Sequence, residues 1–301
     1  MSHAPRDNDR ILFGGALVLT GVFLIVSMNT LAKLLGTSHH PVEMTFYRNV
    51  MVFAGVCLYL TLSRKWELVR TKRIKSHMFR ALVGTTGIIC GFWAVTLLPL
   101  ADATTLIYTA PLFATVLSIP LLGERVGLYR WAAVFIGFIG VIFIAHPTEQ
   151  NIVLTGTVLA LMAAFFNASV QIFLRDLGRT EHPLTTVFYF MGFGILFTAV
   201  PLPFVWTHLP SHNEFFLLAL LGLTGGLQQV IKTSGYAITP TSISAPLNYT
   251  GLIWAALFGW VFWGTLPTWQ VITGAAIIVG STSFILWREQ RLKKREQSES
   301  F

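Results

Sequence analysis

The stretch PLADATTLIYTAPLFATVLSIPLLG, residues 99–123, has a counterpart 141 positions later in PTSISAPLNYTGLIWAALFGWVFWG, residues 240–264. Both follow the pattern Pro, then Tyr-Thr, then Gly, with the tyrosines at Tyr108 and Tyr249. The wider segments 81–123 and 222–264 align without a gap and share eight identities. An internal repeat in an apolar chain is typical of a membrane transporter built from two related halves.

Composition supports a membrane protein. Of the 301 residues, 54% are hydrophobic and only 11% are charged, and the mean hydropathy is +0.66, which excludes an ordinary soluble domain. A helix of about 20 apolar residues crosses a bilayer, and ten stretches reach or approach that length: roughly 11–35, 44–63, 79–98, 102–122, 129–146, 154–174, 184–206, 214–236, 241–263 and 268–287. The unbroken runs exclude barrel strands. The sequence therefore predicts an all-α polytopic membrane protein.

The basic residues predict its orientation. Of 21 Lys and Arg residues, all but Lys33, Arg48 and Lys232 lie in the tails, in the loops after spans 2, 4 and 6, or, for Arg80, just inside span 3. By the positive-inside rule both termini are cytoplasmic, and we expect the inner (plasma) membrane. The net charge of +8 needs no nucleic acid as a partner, because basic loops of this kind lie against anionic lipid headgroups.

The number of spans sets the relation between the halves. Five spans per half is an odd number, so the second half enters the membrane from the opposite side. We expect two inverted five-helix repeats, residues 11–146 and 154–288, followed by a basic cytoplasmic tail, 289–301. Inverted repeats of this kind expose a midplane site alternately to the two sides.

Other chemistries have little support. The sequence contains no HExxH, Walker A or GxSxG motif, and Cys57 and Cys90 lie inside spans without metal-ligand spacing. We expect no enzyme activity, cofactor or metal. No Asp or Glu lies at the middle of a span, which disfavours coupling through a buried carboxylate, and the loop histidines His39 and His40 are expected to be solvated.

At this point the chain resembles a known family. The stretch 111–144, with a proline in span 4, Gly123-Glu124-Arg125 at a cytoplasmic turn and two glycines in span 5, is similar to the EamA branch of the drug/metabolite transporter superfamily. The resemblance extends to MNTLAKLL (28–35), FYRN (46–49) and residues 80–106, which look most like the subgroup that includes bacterial S-adenosylmethionine transporters. It implies secondary transport through a central cavity lined mainly by spans 1, 3, 4, 6, 8 and 9.

Span 8 supplies the strongest candidate for substrate contact. Gln228 and Lys232 are four residues apart and share a helix face, where together they can hold a carboxylate or phosphate oxygen. A lysine at the centre of a span costs about 2.5–3.5 kcal/mol on insertion scales. The alternative is that Lys232 extends its ammonium group to the cytoplasmic headgroups.

Further candidates are polar or aromatic groups within spans. They are Asn167 and Gln171 in span 6, Asn248 and Tyr249 in span 9, Tyr108 in span 4 and Trp93 in span 3. The amides and tyrosines can contact substrate or form hydrogen bonds between helices, which average about 0.6 kcal/mol each. The tryptophan can stack on a heterocyclic or cationic group.

A second set suits gating or structure. Asn29 and Lys33 are four apart in span 1, and Arg48 in span 2 is expected to pair with Glu43, with backbone carbonyls or with substrate. Pro111 and Pro246 interrupt spans 4 and 9, where they act in movement or as static kinks.

These features predict a secondary carrier for a small organic metabolite with an anionic or zwitterionic group, such as an amino-acid or nucleoside derivative like S-adenosylmethionine. One alternative is a broad-specificity exporter of amino acids or drugs. Another, of a different class, is a non-transporting membrane receptor. The expected partners are a small-molecule substrate and the lipid bilayer, and ten spans suffice for a monomeric carrier.

Overall fold

The computed structural model describes residues 7–122, 127–145, 151–178, 180–239 and 241–299. Within these ranges every regular element is a helix. The first half forms α1 (Asp7–Leu35), α2 (Pro41–Ser63), α3 (Ile74–Leu97), α4 (Leu100–Ile107), α5 (Ala110–Leu122) and α6 (Leu128–Ala145), with a 3₁₀ turn at Trp66–Val69. The Gly123-Glu124-Arg125 turn lies outside the described residues.

The second half follows the same order of long and short helices. It forms α7 (Asn151–Leu177), α8 (Pro183–Ala199), α9 (Leu202–Val205), α10 (His212–Ile238), α11 (Thr241–Asn248), α12 (Thr250–Trp263) and α13 (Trp269–Glu299). The predicted span 7 is too long, because its helix ends at Ala199, ahead of Pro201 and Pro203, which have no N–H to donate. At the other end of this half, α13 extends to Glu299, so the predicted basic tail is helical.

The helices match a polytopic membrane protein. Seven stretches in the described part of the chain are long and apolar enough to cross a bilayer, and Leu128–Ile144 and Pro183–Ala199 are shorter apolar helices. Large apolar side chains point outward, as Phe135, Ile136 and Ile142 on α6 do with 65%, 50% and 63% exposure. A surface of this kind suits lipid tails rather than water.

Both predicted spans that carry the Tyr-Thr repeat are broken at the repeated tyrosine. Tyr108 and Thr109 separate α4 from α5, and Tyr249 separates α11 from α12. Pro111 lies in the first turn of α5, where its missing N–H costs no helical hydrogen bond. Pro246 lies inside α11, and its carbonyl accepts from the Tyr249 N–H at 3.1 Å. Broken helices at membrane depth are tolerated where they are buried or line a cavity.

The helices pair mainly across the two halves. α1 packs on α10, α3 on α7, α2 on α8 and α6 on α13. Small residues allow the last pair to approach closely, since a Cβ added at Gly140 would lie 2.9 Å from the carbonyl oxygen of Gly274. This contact fixes where α6 crosses α13.

A second repeat becomes visible at the starts of α2 and α8. His40-Pro41 begins one helix and His182-Pro183 begins the other, and in both cases four residues separate the His-Pro pair from a Phe-Tyr pair. Both histidines accept a helix N–H at Nδ1, from Val42 at 3.3 Å and from Leu184 at 3.2 Å. Histidine acts here as the N-cap and proline as the first helical residue.

Candidate substrate site

One face of α10 carries a line of small and polar residues, the α10 stripe: Gly225, Gln228, Lys232 and Tyr236. Spacings of three and four residues place them on the same side of the helix, over a length of about 16 Å at 1.5 Å per residue. The stripe lies near α1, where a Cβ added at Gly21 would lie 3.1 Å from the Cα of Lys232.

Lys232 is half-buried six residues before the end of α10, or about 9 Å along the helix. Its Nζ lies 5.6 Å from the centroid of the Tyr236 ring. Among the described residues, no carboxylate pairs with its ammonium group. An ammonium group removed from water needs a compensating anion or dense hydrogen bonding, so this position is well suited to an anionic group of a substrate.

Tyr236 links this lysine to a group of polar side chains on neighbouring helices. The Tyr236 hydroxyl donates to Oδ1 of Asn248 at 2.6 Å. The rings of Tyr108 and Tyr249 meet edge to face at 6.0 Å, and the Tyr249 hydroxyl is hydrogen-bonded to Thr282. The Tyr236 and Tyr249 phenols both lie close enough to Tyr108 to interact with it electrostatically.

The structure thus brings four predicted residues together. They are Lys232, Asn248, Tyr249 and Tyr108. Sequence reasoning missed Tyr236, although it lies four residues after Lys232 on the same helix face and provides the link between the lysine and Asn248. We call Lys232, Tyr236, Asn248, Tyr249 and Tyr108 the tyrosine cluster.

Three predicted amide side chains lie outside the cluster. Gln228 is buried one turn from Lys232 on the α10 stripe, with its Nε2 3.4 Å from Oε1 of Gln229. Asn167 and Gln171 are exposed on α7, and the contacts of the described residues do not connect them to the tyrosine cluster.

Trp93 lies near the end of α3 and packs against a histidine rather than against the tyrosine cluster. Its ring is 38% exposed and meets His40 in a T-shaped contact at 5.3 Å. Burial lowers the pKa of His40, which favours the neutral ring that accepts from Val42 as the cap of α2. Trp93 therefore has a packing role in this structure.

Lys33 fastens α1 to the end of α3. Its Nζ donates to the carbonyl oxygens of Val95 at 2.8 Å and Leu98 at 2.6 Å, and it lies 5.4 Å from the centroid of the Trp263 ring. A cation at a helix C-terminus satisfies free carbonyls and interacts favourably with the helix dipole. Asn29 is half-buried one turn earlier on α1.

Arg48 does not pair with Glu43, contrary to one expectation from the sequence. Glu43 instead lies 3.1 Å from Nδ1 of His39 and accepts from the Thr207 hydroxyl at 3.0 Å. Arg48 is 2% exposed, and its Nη1 donates to Oδ1 of Asn49 at 3.0 Å. Gly225 of the α10 stripe leaves room for it, since a Cβ there would lie 2.8 Å from the Arg48 Nε.

Arg80 is a second buried guanidinium group that sequence reasoning treated only as a topology signal. It is 3% exposed and lies 3.6 Å from the centroid of the Phe190 ring. The charge of Arg48 acts on it unfavourably, and no carboxylate of the described residues pairs with either arginine. The predicted span 3 begins at residue 79, next to Arg80. The helix α3 begins at Ile74, which places Arg80 about 9 Å inside it.

Comparison with known proteins identifies the family. The EamA-like transporter family matches residues 12–146 and again residues 154–287. The chain belongs to the EamA-like transporter family. The resemblance found in the sequence is therefore confirmed, and the chain is a transporter rather than an enzyme.

Three relatives of this EamA-like transporter carry small metabolites, according to their names. It is 32% identical over 236 residues to a riboflavin transporter of Vibrio cholerae, covering 77% of this chain and 78% of that protein. It is 26% identical to the pseudopaline exporter CntI of Pseudomonas aeruginosa, covering 90% and 95%. It is 27% identical to an S-adenosylmethionine uptake transporter of Rickettsia prowazekii, covering 87% and 88%.

A solved structure shares the fold of this EamA-like transporter. It superposes on the chain with a TM-score of 0.61 at 18% identity, covering 93% of this chain and 99% of that one. At this identity the likeness concerns the fold alone. The family match and the named relatives identify the chain as a multi-pass secondary transporter of a small metabolite.

Proposed function

We propose that this EamA-like transporter is an alternating-access carrier for an organic metabolite with an anionic or zwitterionic group. Ten spans form two inverted five-helix repeats, residues 11–146 and 154–288, and residues 289–301 form a basic cytoplasmic extension. Both termini face the cytoplasm, and the protein lies in the inner (plasma) membrane. The substrate binds at the tyrosine cluster and along the α10 stripe.

The helices support ten spans. In the described part of the chain seven stretches are long and apolar enough to cross a membrane, and the shorter apolar helices at Leu128–Ile144 and Pro183–Ala199 bring the number to nine. The broken pair of α11 and α12 brings it to ten and is the ninth span in chain order, just as the broken pair of α4 and α5 is the fourth. An odd number of spans in each repeat requires opposite insertion of the two repeats.

Helix pairing supports the inversion. If α7, α8 and α10 are the counterparts of α1, α2 and α3, exchanging the halves converts the α1–α10 pair into the α7–α3 pair. Single contacts follow the same exchange. A Cβ at Gly225 would meet Arg48, and a Cβ at Gly84 would meet Phe190. Gly225 is the repeat equivalent of Gly84, and Arg48 is the repeat equivalent of Phe190. A pseudo-two-fold axis in the membrane plane produces this relation.

The observation that carries the substrate class is the ammonium group of Lys232 in the tyrosine cluster, which no carboxylate of the described residues neutralises. The ammonium offers three donors to a carboxylate or phosphate oxygen, and the Tyr108 and Tyr249 rings offer faces for an apolar or heterocyclic part. The relatives named for riboflavin, S-adenosylmethionine and pseudopaline support an organic metabolite as the substrate.

The test starts with a thermal-shift screen of purified protein against metabolites, and the ligands it finds are then used in proteoliposome uptake. Lys232→Ala is expected to abolish uptake while expression and thermal stability stay near wild type, because an unpaired charge contributes little to folding. Lys65→Ala, at an exposed loop lysine, is the matched control and should transport normally. Unchanged uptake by Lys232→Ala would refute the site.

Export is the second candidate, and the likeness to the pseudopaline exporter favours it. Counterflow with vesicles loaded on the inside separates direction from specificity. A broad-specificity exporter exchanges many amino acids or drugs against internal substrate, whereas a selective carrier exchanges only one chemical class.

A further inference from the structure

Two histidines and a carboxylate meet where α2 and α10 begin. His39 follows α1, His208 follows α9 and Glu214 lies in the first turn of α10. One ligand atom from each of the three lies within 4.8 Å of the others. We call His39, His208 and Glu214 the histidine–glutamate cluster. His39 lies far from the other two in sequence, so no spacing motif indicated the cluster.

The Glu214 carboxylate lies beside the Nε2 atoms of both rings. Nε2 of His39 lies 3.7 Å from Oε1 of Glu214, and Nε2 of His208 lies 3.3 Å from Oε2. The imidazole rings are stacked at 5.0 Å. Ser211 holds Glu214 in place, with its N–H and its hydroxyl both donating to Oε2 at 2.8 Å.

Glu43 contacts the Nδ1 atom of His39, a residue that the sequence analysis expected to be solvated. The His39 side chain is fully buried, and its Nδ1 lies 3.1 Å from Oε1 of Glu43, which is itself buried. Thr207 donates to the other Glu43 oxygen at 3.0 Å. A carboxylate at Nδ1 favours the tautomer with hydrogen on that nitrogen, which leaves the Nε2 lone pair free.

The Nε2 of His39 is buried and has no hydrogen-bond partner among the described residues. An unpartnered polar atom in a buried position costs about 1–3 kcal/mol, so it calls for a ligand. The Glu214 carboxylate and the His208 imidazole lie next to this Nε2 atom. Carboxylate oxygens and imidazole nitrogens are ligands that bind divalent transition metals.

We propose that the histidine–glutamate cluster is a Zn²⁺ site with Nε2 of His39, Nε2 of His208 and a Glu214 oxygen as ligands and water in the fourth position. Zinc bonds of about 2.0–2.2 Å to nitrogen and oxygen require the ligand atoms to draw together. The His208 side chain is 48% exposed and has the freedom to do so. Glu43 forms the carboxylate–histidine–metal arrangement that commonly supports zinc ligands.

The site joins the two halves of the chain. His39 belongs to the first half, and His208 and Glu214 belong to the second, at the end that the proposed topology assigns to the outside. Bound zinc therefore holds that end closed and slows a carrier that must open it. This consequence rests on the proposed function, whereas the binding itself does not.

The experiment measures Zn²⁺ binding to purified full-length protein in detergent, by calorimetry and by competition with a chromophoric chelator. One Zn²⁺ per chain is expected. His39→Ala and His208→Ala should abolish this site, and Glu43→Gln should weaken binding about 10–100-fold, as is usual when the partner of a metal-binding histidine is lost. His212→Ala removes a nearby exposed histidine outside the cluster and should bind like wild type.

Two outcomes would overturn the proposal. The first is that the wild type does not bind Zn²⁺ at micromolar concentration. The second is that His39→Ala and His208→Ala bind Zn²⁺ as the wild type does. If His39→Ala lowers thermal stability, the zinc affinities of Glu43→Gln and His208→Ala decide whether the site exists. His208 has an exposed side chain, so its substitution tests binding without disturbing the core. Binding without any effect on flux would leave the metal site intact and count against the proposed outside gate instead.

Discussion

At the scale of single residues, Arg48 and Arg80 are the least expected feature of the transmembrane region. Both are fully buried, they repel one another, and no described carboxylate neutralises either of them. The hydrogen bond to Asn49 and the stacking of Arg80 on Phe190 compensate in part. Buried charge of one sign is costly, so we expect a role in transport rather than in folding to account for these two guanidinium groups.

This reasoning predicts the behaviour of Arg80→Met. The substitution removes a desolvated charge and keeps an unbranched apolar side chain next to Phe190, so we expect thermal stability to stay within about 1 kcal/mol of wild type or to rise. Uptake into proteoliposomes should fall at least tenfold. Arg70→Met, at an exposed loop position, serves as the control. A large loss of thermal stability with normal flux per folded molecule would show a structural role for Arg80.

The residues of the site were predictable to different degrees. Lys232 and Asn248 stood out because polar groups are rare in apolar spans, and the repeat pointed to both tyrosines. Tyr236 is amphipathic and gave no such signal. His39 was missed because its partners Thr207, His208 and Glu214 come from the connection between α9 and α10 and from the start of α10, and a contact between distant segments leaves no trace in local spacing.

At the scale of helices, the sequence predicted a polytopic all-helical protein but not the breaks within the apolar helices. Hydropathy averages over about 20 residues, so the interruptions at Tyr108 and Tyr249 disappear within spans 4 and 9. The ends were set by local chemistry, as when Pro201 and Pro203 shorten the seventh span. The repeated His-Pro caps of α2 and α8 were readable but too short to stand out.

Close helix approach gives the second prediction. In Gly140→Ala the new Cβ would lie 2.9 Å from the Gly274 carbonyl oxygen and 3.0 Å from Ile278, so α6 and α13 must separate, at a cost of about 1–3 kcal/mol. Gly55→Ala meets nothing within 4 Å and should be neutral or stabilising by up to about 1 kcal/mol. Thermal unfolding in detergent compares them, and equal stability of the two variants would contradict the tight crossing.

At the scale of the whole molecule, polar contacts between the halves close both ends of the bundle. At one end Arg73 pairs with Asp176, and the Thr71 hydroxyl donates to Glu181 at 2.9 Å. At the other end His39 and Glu43 of the first half meet Thr207 and Glu214 of the second. If the proposed inverted repeats open one end of the carrier at a time, these contacts must break in turn.

The inverted topology gives the last prediction. Single cysteines are introduced into a Cys57→Ala, Cys90→Ala background at four exposed positions: Thr37, Lys72, Thr180 and Asn213. A membrane-impermeant maleimide applied to intact spheroplasts should label Thr37→Cys and Asn213→Cys, because the proposed topology places both positions outside. Lys72→Cys and Thr180→Cys should be labelled only after permeabilisation, since the positive-inside rule places their loops in the cytoplasm. Equivalent loops of the two repeats, such as those of Lys72 and Asn213, would then lie on opposite sides. Labelling of both from one side would exclude inversion and remove the basis for alternating access by rocking of one repeat against the other.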